Sequence, residues 1–187
     1  MTALPKAAQG IVNKIRSALP RRPTEPESRN DDYDLRFSIA AIHYEQGHIG
    51  EAIVELKSAL AANAQHADAH FLLGRIREDQ DDCQAAEHEY RQAIRLEPDR
   101  LNYHLRLGAI LEKKGKMKAA LKEYRISTDL CPDDAEARFR LGAALDGFGQ
   151  LDAAIVEYQE ALQIDPGLED AVVCLDAAVK RRKAVLR

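Results

Sequence analysis

Residues 135–168 read AEARFRLGAALDGFGQLDAAIVEYQEALQIDPGL and predict a pair of helices. Two apolar stripes at helical spacing lie on either side of Gly147 and Gly149: Ala137, Leu141, Ala144 and Leu145 before them, and Leu151, Ala154, Ile155, Tyr158, Ala161 and Leu162 after them. Asp165-Pro166-Gly167 ends the pair, because proline cannot continue a helix and disfavours helical backbone in the residue before it. The small residues Gly142, Ala154 and Ala161 stand where the two helices would cross closely.

The same pattern recurs upstream every 34 residues. The residues that keep this step are Pro98, Pro132 and Pro166; Gly74, Gly108 and Gly142; Ala86, Ala120 and Ala154; and Tyr90, Tyr124 and Tyr158. One step further back, the equivalent places hold Ala40, Ala52 and Leu56. The chain therefore divides without gaps into four units, 33–66, 67–100, 101–134 and 135–168. A fixed period of this length, repeated four times, indicates a solenoid of stacked helix pairs.

The repeated residues resemble the tetratricopeptide repeat, whose signature has Leu-Gly in the first helix, Ala, an aromatic residue and Ala in the second, and then Pro. The matching residues of the last unit are Leu141-Gly142, Ala154, Tyr158, Ala161 and Pro166. The resemblance covers residues 33–168 and implies an all-α fold, a right-handed α-solenoid of four helix-turn-helix units. The chain departs from the family at the first-helix tryptophan position, which holds Arg36, His70, His104 and Arg138, and at Ala64 and Ser127.

The N-terminal segment, residues 1–32, differs from the repeats. Its first 24 residues contain five basic residues and no acidic one, and one helical face carries Leu4, Ala8, Ile11, Ile15 and Leu19. Pro20, Pro23 and Pro26, interspersed with Thr24, Glu25, Glu27 and Ser28, predict an extended linker. Residues 4–19 therefore suit docking on the first repeat, on a partner or on an anionic membrane, while a disordered tail is the alternative.

The C-terminal segment, residues 169–187, is predicted to form a capping helix. Ala171, Val172, Leu175 and Val179 are expected to cover the last repeat. Asp170 and Asp176 are expected to face water, because a charge at the position of the repeat glycine would be costly to bury. The basic run 180–183 suits the end of a helix and is expected to be solvated.

In tetratricopeptide repeats the first helices line a concave groove, so the resemblance implies which residues face a partner. Three recurring groove positions hold, in chain order, Phe37, Phe71, Leu105 and Phe139; Ala41, Arg75, Ala109 and Ala143; and Tyr44, Glu78, Glu112 and Asp146. The first series is a ladder of large apolar groups, and the second is mostly small. These twelve residues are the candidate partner-binding site.

The charge around this groove favours a particular kind of ligand. The groove residues and their neighbours include eight acidic and two basic residues, a balance of −6. We therefore expect an extended or helical peptide with apolar anchors and basic flanks. An acidic carboxyl-terminal tail, which chaperone adaptors of the family bind, is not expected, because Phe37 and Ala41 cannot donate side-chain hydrogen bonds. Two alternatives stay open: the ladder packs repeat against repeat, or residues 4–19 occupy the groove in the same or a neighbouring molecule.

Catalytic and cofactor motifs are not evident. The sequence contains no glycine-rich phosphate loop, no His-Glu-x-x-His and no cysteine pair with metal spacing. No catalytic residue, cofactor or metal is therefore expected, and His70 and His104 are interpreted as ordinary half-exposed histidines. A formal net charge of −4 argues against nucleic-acid binding.

These features together predict a non-catalytic adaptor or assembly scaffold. The alternative is a membrane-recruited assembly factor that uses residues 4–19, and self-association stays open. Three cysteines without a disulfide pattern and the lack of an unbroken apolar run near the N-terminus favour a cytoplasmic location.

Overall fold

The computed structural model describes residues 27–185, which form nine helices and no strand. The helices are α1 (Glu27–Glu45), α2 (Ile49–Ala62), α3 (Ala67–Asp79), α4 (Cys83–Leu96), α5 (Leu101–Lys113), α6 (Met117–Leu130), α7 (Ala135–Gly147), α8 (Leu151–Ile164) and α9 (Glu169–Val185). Short turns join α1 to α2, α3 to α4, α5 to α6 and α7 to α8, and each pair packs together. Each second helix also packs against the first helix of the next pair, so the predicted all-α solenoid is confirmed.

The core of the last three repeats is built around one recurring contact between a glycine and a tyrosine. The rings of Tyr90, Tyr124 and Tyr158 are fully or almost fully buried, and each covers the repeat glycine of its own first helix. A Cβ atom built on Gly108 would lie 2.5 Å from Cε1 of Tyr124. Only glycine allows this approach, which confirms that small residues stand where the helices cross. In the first repeat the same two places hold Ala40 and Leu56, both with no exposed surface.

The turn inside each repeat uses a left-handed residue at one recurring place. That residue is Gly47, Asp81, Gly115 or Gly149, with φ angles of 78°, 57°, 69° and 76°. L-residues avoid this region because of the Cβ atom, which explains glycine in three of the four turns. The turn between repeats follows the predicted prolines: α4, α6 and α8 each end two residues before proline.

The first helix begins earlier than the repeat frame predicts. Helix α1 starts at Glu27, so Glu27 and Ser28 are helical and their assignment to an extended linker is wrong. Pro26 directly precedes the helix, and the chain places Glu27, Asp31 and Asp32 in its opening turns. Proline and acidic residues both favour a helix start, which accounts for the extension. Residues 4–19 lie outside the described residues, and within 27–185 no helix is long and apolar enough to cross a membrane.

The C-terminal helix covers the last repeat with a slightly different face from the one predicted. Ala171 and Ala178 are buried, and Cys174, Leu175 and Val179 pack against the core. Val172 is 50% exposed, so the prediction that it covers the repeat is wrong; it lies one position around the helix from the buried stripe.

The charged residues of α9 are only partly as predicted. Asp170 and Asp176 face water as expected. The basic run is not simply solvated, because Arg181 donates to Asp146 at 2.5 Å and Arg182 lies 2.7 Å from Asp152. Both acids belong to the last repeat. The end of α9 is therefore held to the solenoid by charge as well as by apolar contact.

Candidate functional site

The first helices of successive repeats lie side by side. Side chains bridge them directly: Tyr44 of α1 donates to Asp79 of α3 at 2.6 Å, and Tyr103 of α5 donates to Asp68 of α3 at 2.6 Å. Arg181 of α9 reaches Asp146 of α7 in the same way. The helices α1, α3, α5 and α7 thus form one continuous surface, which we call the first-helix surface, and it carries the twelve predicted groove residues.

The apolar ladder on this surface is half-buried at every rung. The Phe71 ring lies 4.7 Å from that of Tyr103 in the next repeat and 5.5 Å from that of Tyr90 in its own. Phe139 lies 6.0 Å from Tyr158 by ring centroids. Phe71 therefore joins its repeat to the next, whereas Phe139 packs within its own repeat, and each rung presents only part of its side chain. Its role as a set of binding anchors stays a prediction.

The second groove position beside the ladder holds a large side chain in one repeat only. Ala41, Ala109 and Ala143 are half-buried. The guanidinium of Arg75, at the same position of the second repeat, lies over the Tyr44 ring at 4.9 Å from its centroid. This cation–π contact fills the space that an alanine would leave. In the second half of the molecule, this position holds only the small side chains of Ala109 and Ala143.

The residues at the third groove position take part in contacts between successive helices, which we call the 35-residue contacts. Each member meets the residue 35 positions later: Tyr44 with Asp79, Glu78 with Lys113, and Asp146 with Arg181, at 2.6, 4.0 and 2.5 Å. The fourth member, Glu112, would meet Gly147, which has no side chain to offer. The series of 35-residue contacts is thus interrupted in the middle of the first-helix surface.

Two carboxylates at the third groove position also accept hydrogen bonds from tyrosine hydroxyls of the second helices. Tyr90 donates to Glu78 at 2.6 Å, and Tyr124 donates to Glu112 at 2.9 Å. Burial and these carboxylates raise the pKa of both phenols, so the hydroxyls stay protonated as donors. Glu78 additionally faces Arg106 at 3.6 Å. The corresponding Arg140 donates to Glu136 at 2.6 Å and also interacts electrostatically with Glu112.

The net charge of the surface is smaller than the sequence count implies. That count left out Arg106 and Arg140, which follow the ladder residues Leu105 and Phe139, as well as Arg100 and Arg181 from neighbouring segments. Their partners among the acids are Glu78, Glu136, Asp68 and Asp146. Four added cations reduce the balance of −6 to −2. The groove as a whole therefore carries only a small net negative charge.

A second set of pairs, which sequence reasoning missed, lies at the family's tryptophan position. The side chains there face a glutamate 19 residues later: Arg36 with Glu55, His70 with Glu89, His104 with Glu123 and Arg138 with Glu157. His104 is only 4% exposed, so its interpretation as an ordinary half-exposed histidine is wrong. The 19-residue spacing of a basic residue and glutamate in all four repeats was the available signal.

These pairs serve the stacking of repeats. The Nε2 atom of His104 lies 2.8 Å from the carbonyl oxygen of Pro98, and Nε of Arg138 donates to that of Pro132 at 2.7 Å. In the three later repeats, the basic side chain therefore ties its own second helix to the turn of the preceding repeat. Within the described residues, no three His, Cys, Asp or Glu side chains are grouped as a metal site would need.

Comparison with known families agrees with this architecture. The sequence profile of the tetratricopeptide repeat matches residues 37–82, 73–135 and 126–169, which together span most of the chain. The chain is a tetratricopeptide repeat protein. The resemblance noted on Leu141-Gly142, Tyr158 and Pro166 is thereby confirmed, as is the helical-repeat solenoid.

Solved structures place this tetratricopeptide repeat protein among helical-repeat proteins. Residues 41 to the end of MamA from Desulfovibrio magneticus RS-1 share 26% identity with it, at a TM-score of 0.75, over 82% of this chain and 86% of that one. YrrB, described as a tetratricopeptide repeat protein with an unusual peptide-binding site, shares 21% identity at a TM-score of 0.74, over 94% and 85%. PilF of Pseudomonas aeruginosa shares 17% at 0.74, over 86% and 73%.

Comparison of this tetratricopeptide repeat protein with curated protein sequences finds no significant match. The fold is that of a protein-interaction scaffold, a class that is typically non-catalytic.

Proposed function

We propose that this protein binds a segment of a partner protein along its first-helix surface and has no catalytic role, acting as an adaptor or assembly scaffold. The observation that carries the proposal is the interruption at Glu112. This half-buried carboxylate accepts from Tyr124, but the place where its neighbours find a partner in the next repeat holds Gly147. A lysine or arginine of a bound segment would supply the missing partner of the Glu112 carboxylate.

The surroundings of Glu112 suit an apolar segment with a basic residue. Leu105 lies about two helical turns before Glu112, and Phe139 lies about two turns before Gly147. Both are half-buried, and the small residues Ala109 and Ala143 each follow them by one turn. Partial burial of such side chains by a ligand is favourable, at about 25 cal/mol per Å² of apolar surface. The sequence predicted a peptide with basic flanks; the proposal specifies one basic residue of the peptide, placed opposite Glu112. YrrB, with the same fold, is described as having a peptide-binding site, which supports a peptide as the ligand class.

The experiment is selection of random 12-residue peptides displayed on phage against the full chain. We expect the selected peptides to combine apolar residues with lysine or arginine. Binding should weaken at least tenfold in Ala143→Glu, which replaces a small side chain with a long one, and also in Glu112→Gln. Ala153→Glu is the matched control, because Ala153 is exposed on a second helix. Equal binding to all these variants would contradict the proposal.

Phe71 is a poor target for the same purpose. Its ring packs against Tyr90 and Tyr103, so a charged substitution there damages the stacking of repeats along with any binding site. Circular dichroism should show every variant as helical as the wild type before affinities are compared. Loss of binding without loss of helicity then reports on the surface itself.

The alternative proposal is recruitment to a membrane through residues 4–19, and it rests on their basic amphipathic sequence. Flotation with vesicles of anionic lipid separates the two proposals. Salt-sensitive flotation that requires residues 1–24 favours membrane recruitment, whereas a chain that stays in the bottom fraction favours the adaptor alone. The cytoplasmic location is likewise a proposal.

A further inference from the structure

The N-terminal end of the solenoid has an apolar face with nothing on it among the described residues. Leu35, Ile39 and His43 follow one another at four-residue spacing along α1, so they lie on one side of the helix. Leu35 is 44% exposed. A hollow of about 500 Å³ adjoins at His43 and is also lined by Val54, which is 61% exposed.

The other repeats show what belongs on this face. The residues equivalent to Leu35 are Ala69, Tyr103 and Ala137, and none is more than 3% exposed. They are buried because a preceding second helix covers them: Ala69 lies in one cluster with Ala52 and Leu56 of α2, and Tyr103 with Ala93 of α4. The face of α1 is therefore shaped for an apolar helix that the first repeat does not supply.

We propose that residues 4–19 of the same chain form a helix that covers this face of α1. Their apolar residues Leu4, Ala8, Ile11, Ile15 and Leu19 recur at helical spacing, as a covering helix requires. Sixteen helical residues span about 24 Å, close to the roughly 21 Å of the 14-residue second helices. The segment thus matches the missing element in length as well as in pattern.

The connection allows this arrangement. Residues 20–26 are seven in number and contain three prolines, so an extended course spans about 22 Å at roughly 3.1 Å per residue. Leu35 lies eight residues beyond Glu27, or about 12 Å along α1. A helix ending at residue 19 can therefore run back along α1. So short a tether also holds the segment near its own α1 at an effective concentration in the millimolar range, which favours docking within one molecule over exchange between two.

Charge complementarity favours the same occupant. The segment contains Lys6, Lys14 and Arg16 and no acid. Glu51 is exposed at the edge of the hollow and forms no ion pair within the described part of the chain. Basic side chains around an apolar stripe can therefore reach a free carboxylate while the stripe covers Leu35 and Ile39. Terminal repeats need such a cover because an apolar end invites association.

Limited digestion of the full chain with trypsin tests this docking. Under single-hit conditions, intact mass separates first cuts at Lys14 and Arg16, inside the segment, from cuts at Arg21, in the linker. We expect the cuts at Lys14 and Arg16 to be slow in the wild type and about tenfold faster in Leu35→Glu, with Arg21 unchanged. Val173→Glu is the matched control, since Val173 is 68% exposed at the opposite end of the solenoid.

Three results would overturn the proposal. One is equal cutting at Lys14 and Arg16 in the wild type and in Leu35→Glu. Another is faster cutting in Leu105→Glu but not in Leu35→Glu, which would place the segment on the first-helix surface. The third is protection that increases with protein concentration together with a dimer in sedimentation, which would show exchange between two copies. The outcome is independent of the peptide selection, because Leu35 lies outside the groove residues.

Discussion

The Nδ1 atom of His104 lies 2.8 Å from a carboxylate oxygen of Glu123 inside the third repeat. The other ring nitrogen faces the Pro98 carbonyl oxygen, also at 2.8 Å. A carbonyl can only accept a hydrogen bond, so Nε2 donates, and an ionised carboxylate requires that Nδ1 donates as well. The geometry therefore holds His104 as an imidazolium. At the equivalent position, Arg138 bonds to the Pro132 carbonyl oxygen and to Glu157, and its guanidinium stays charged near neutral pH.

Stability should consequently fall as the pH rises past neutrality. Burial by itself lowers the pKa of His104, but the bonds to Glu123 and Pro98, with the nearby charge of Asp99, outweigh it and raise the pKa above 6.5. Because the folded pKa is the higher one, the contribution is complete below pH 6.5 and is lost as the pH rises through the folded pKa. We expect a decrease of about 1 kcal/mol in the free energy of unfolding.

Urea unfolding between pH 6 and pH 9 measures this decrease. Glu123→Gln is the matched control: it leaves the ring in place but removes the carboxylate that holds the second proton. The variant should be less stable at pH 6 and approach the wild type by pH 9. Parallel curves for the two proteins over the whole range would show that His104 is not charged in the folded state.

A second prediction concerns the contact between Gly108 and Tyr124. Gly108→Ala should destabilise the protein by about 1–3 kcal/mol, because its Cβ would lie 2.5 Å from a fully buried ring that has no free volume to move into. Gly50→Ala is the control. No atom lies within 4 Å of the Cβ there, so the better helix propensity of alanine should stabilise the protein by up to about 1 kcal/mol.

The first repeat indicates a second substitution that should relieve this clash. Ala40 and Leu56 stand where the other repeats have glycine and tyrosine, and both are fully buried. The double variant Gly108→Ala/Tyr124→Leu should therefore lose less stability than the sum of its two single changes. Thermal unfolding of the four proteins gives the coupling. Simple additivity would mean that the ring is not what excludes the Cβ atom.

The same contact between glycine and tyrosine explains why the helices could be predicted from the sequence. Glycine and tyrosine recur at fixed offsets because the ring packs where glycine has no Cβ atom, and proline recurs where each second helix has ended, so the period reveals the pairing of helices without any coordinates. Gly142 against Tyr158 and the helix end before Pro166 are the clearest cases. The early start of α1 was missed because it precedes the repeated frame, where no second copy exists for comparison.

The candidate site was less predictable because its properties depend on distances between repeats. A count of groove charges could not show that Arg106 reaches Glu78 across 34-residue units, or that Arg181 of the cap reaches Asp146. The gap opposite Glu112 becomes visible only once the 35-residue contacts are known. Periodicity in the sequence predicts which residues are equivalent, whereas electrostatic pairing depends on where their side chains end.

A third prediction concerns Glu87, which joins the second and third repeats. Its carboxylate receives Lys114 at 2.6 Å, Lys116 at 3.1 Å and Arg91 at 3.0 Å. Burial raises the pKa of Glu87, but these three bonds outweigh it and hold the pKa at about 2. Glu87→Gln should cost on the order of 2 kcal/mol near neutral pH, because two lysines lose their shared acceptor.

Acid should erase this difference. The folded pKa of Glu87 lies below the ordinary value of 4.5, so its contribution is complete well above that value and is lost as the pH falls towards 2. The gap in unfolding free energy between wild type and Glu87→Gln should therefore narrow from pH 6 to pH 3. Glu45→Gln, at an exposed glutamate, should stay close to the wild type throughout. A gap that is constant with pH would contradict the bonding of Glu87.

The last prediction concerns the turn at Asp81, where an aspartate has φ of 57° and the three equivalent turns have glycine. Left-handed backbone is unfavourable for a residue with a Cβ atom, and the penalty exceeds the extra chain entropy that glycine loses on folding. Asp81→Gly should therefore raise the free energy of unfolding by about 0.5–1 kcal/mol. Gly115→Asp places the same aspartate in the next turn, with φ of 69°, and should lower it by a similar amount. Chemical unfolding near pH 7 measures both changes. If both variants were destabilised, the Asp81 side chain would be contributing more to the turn than its backbone conformation costs.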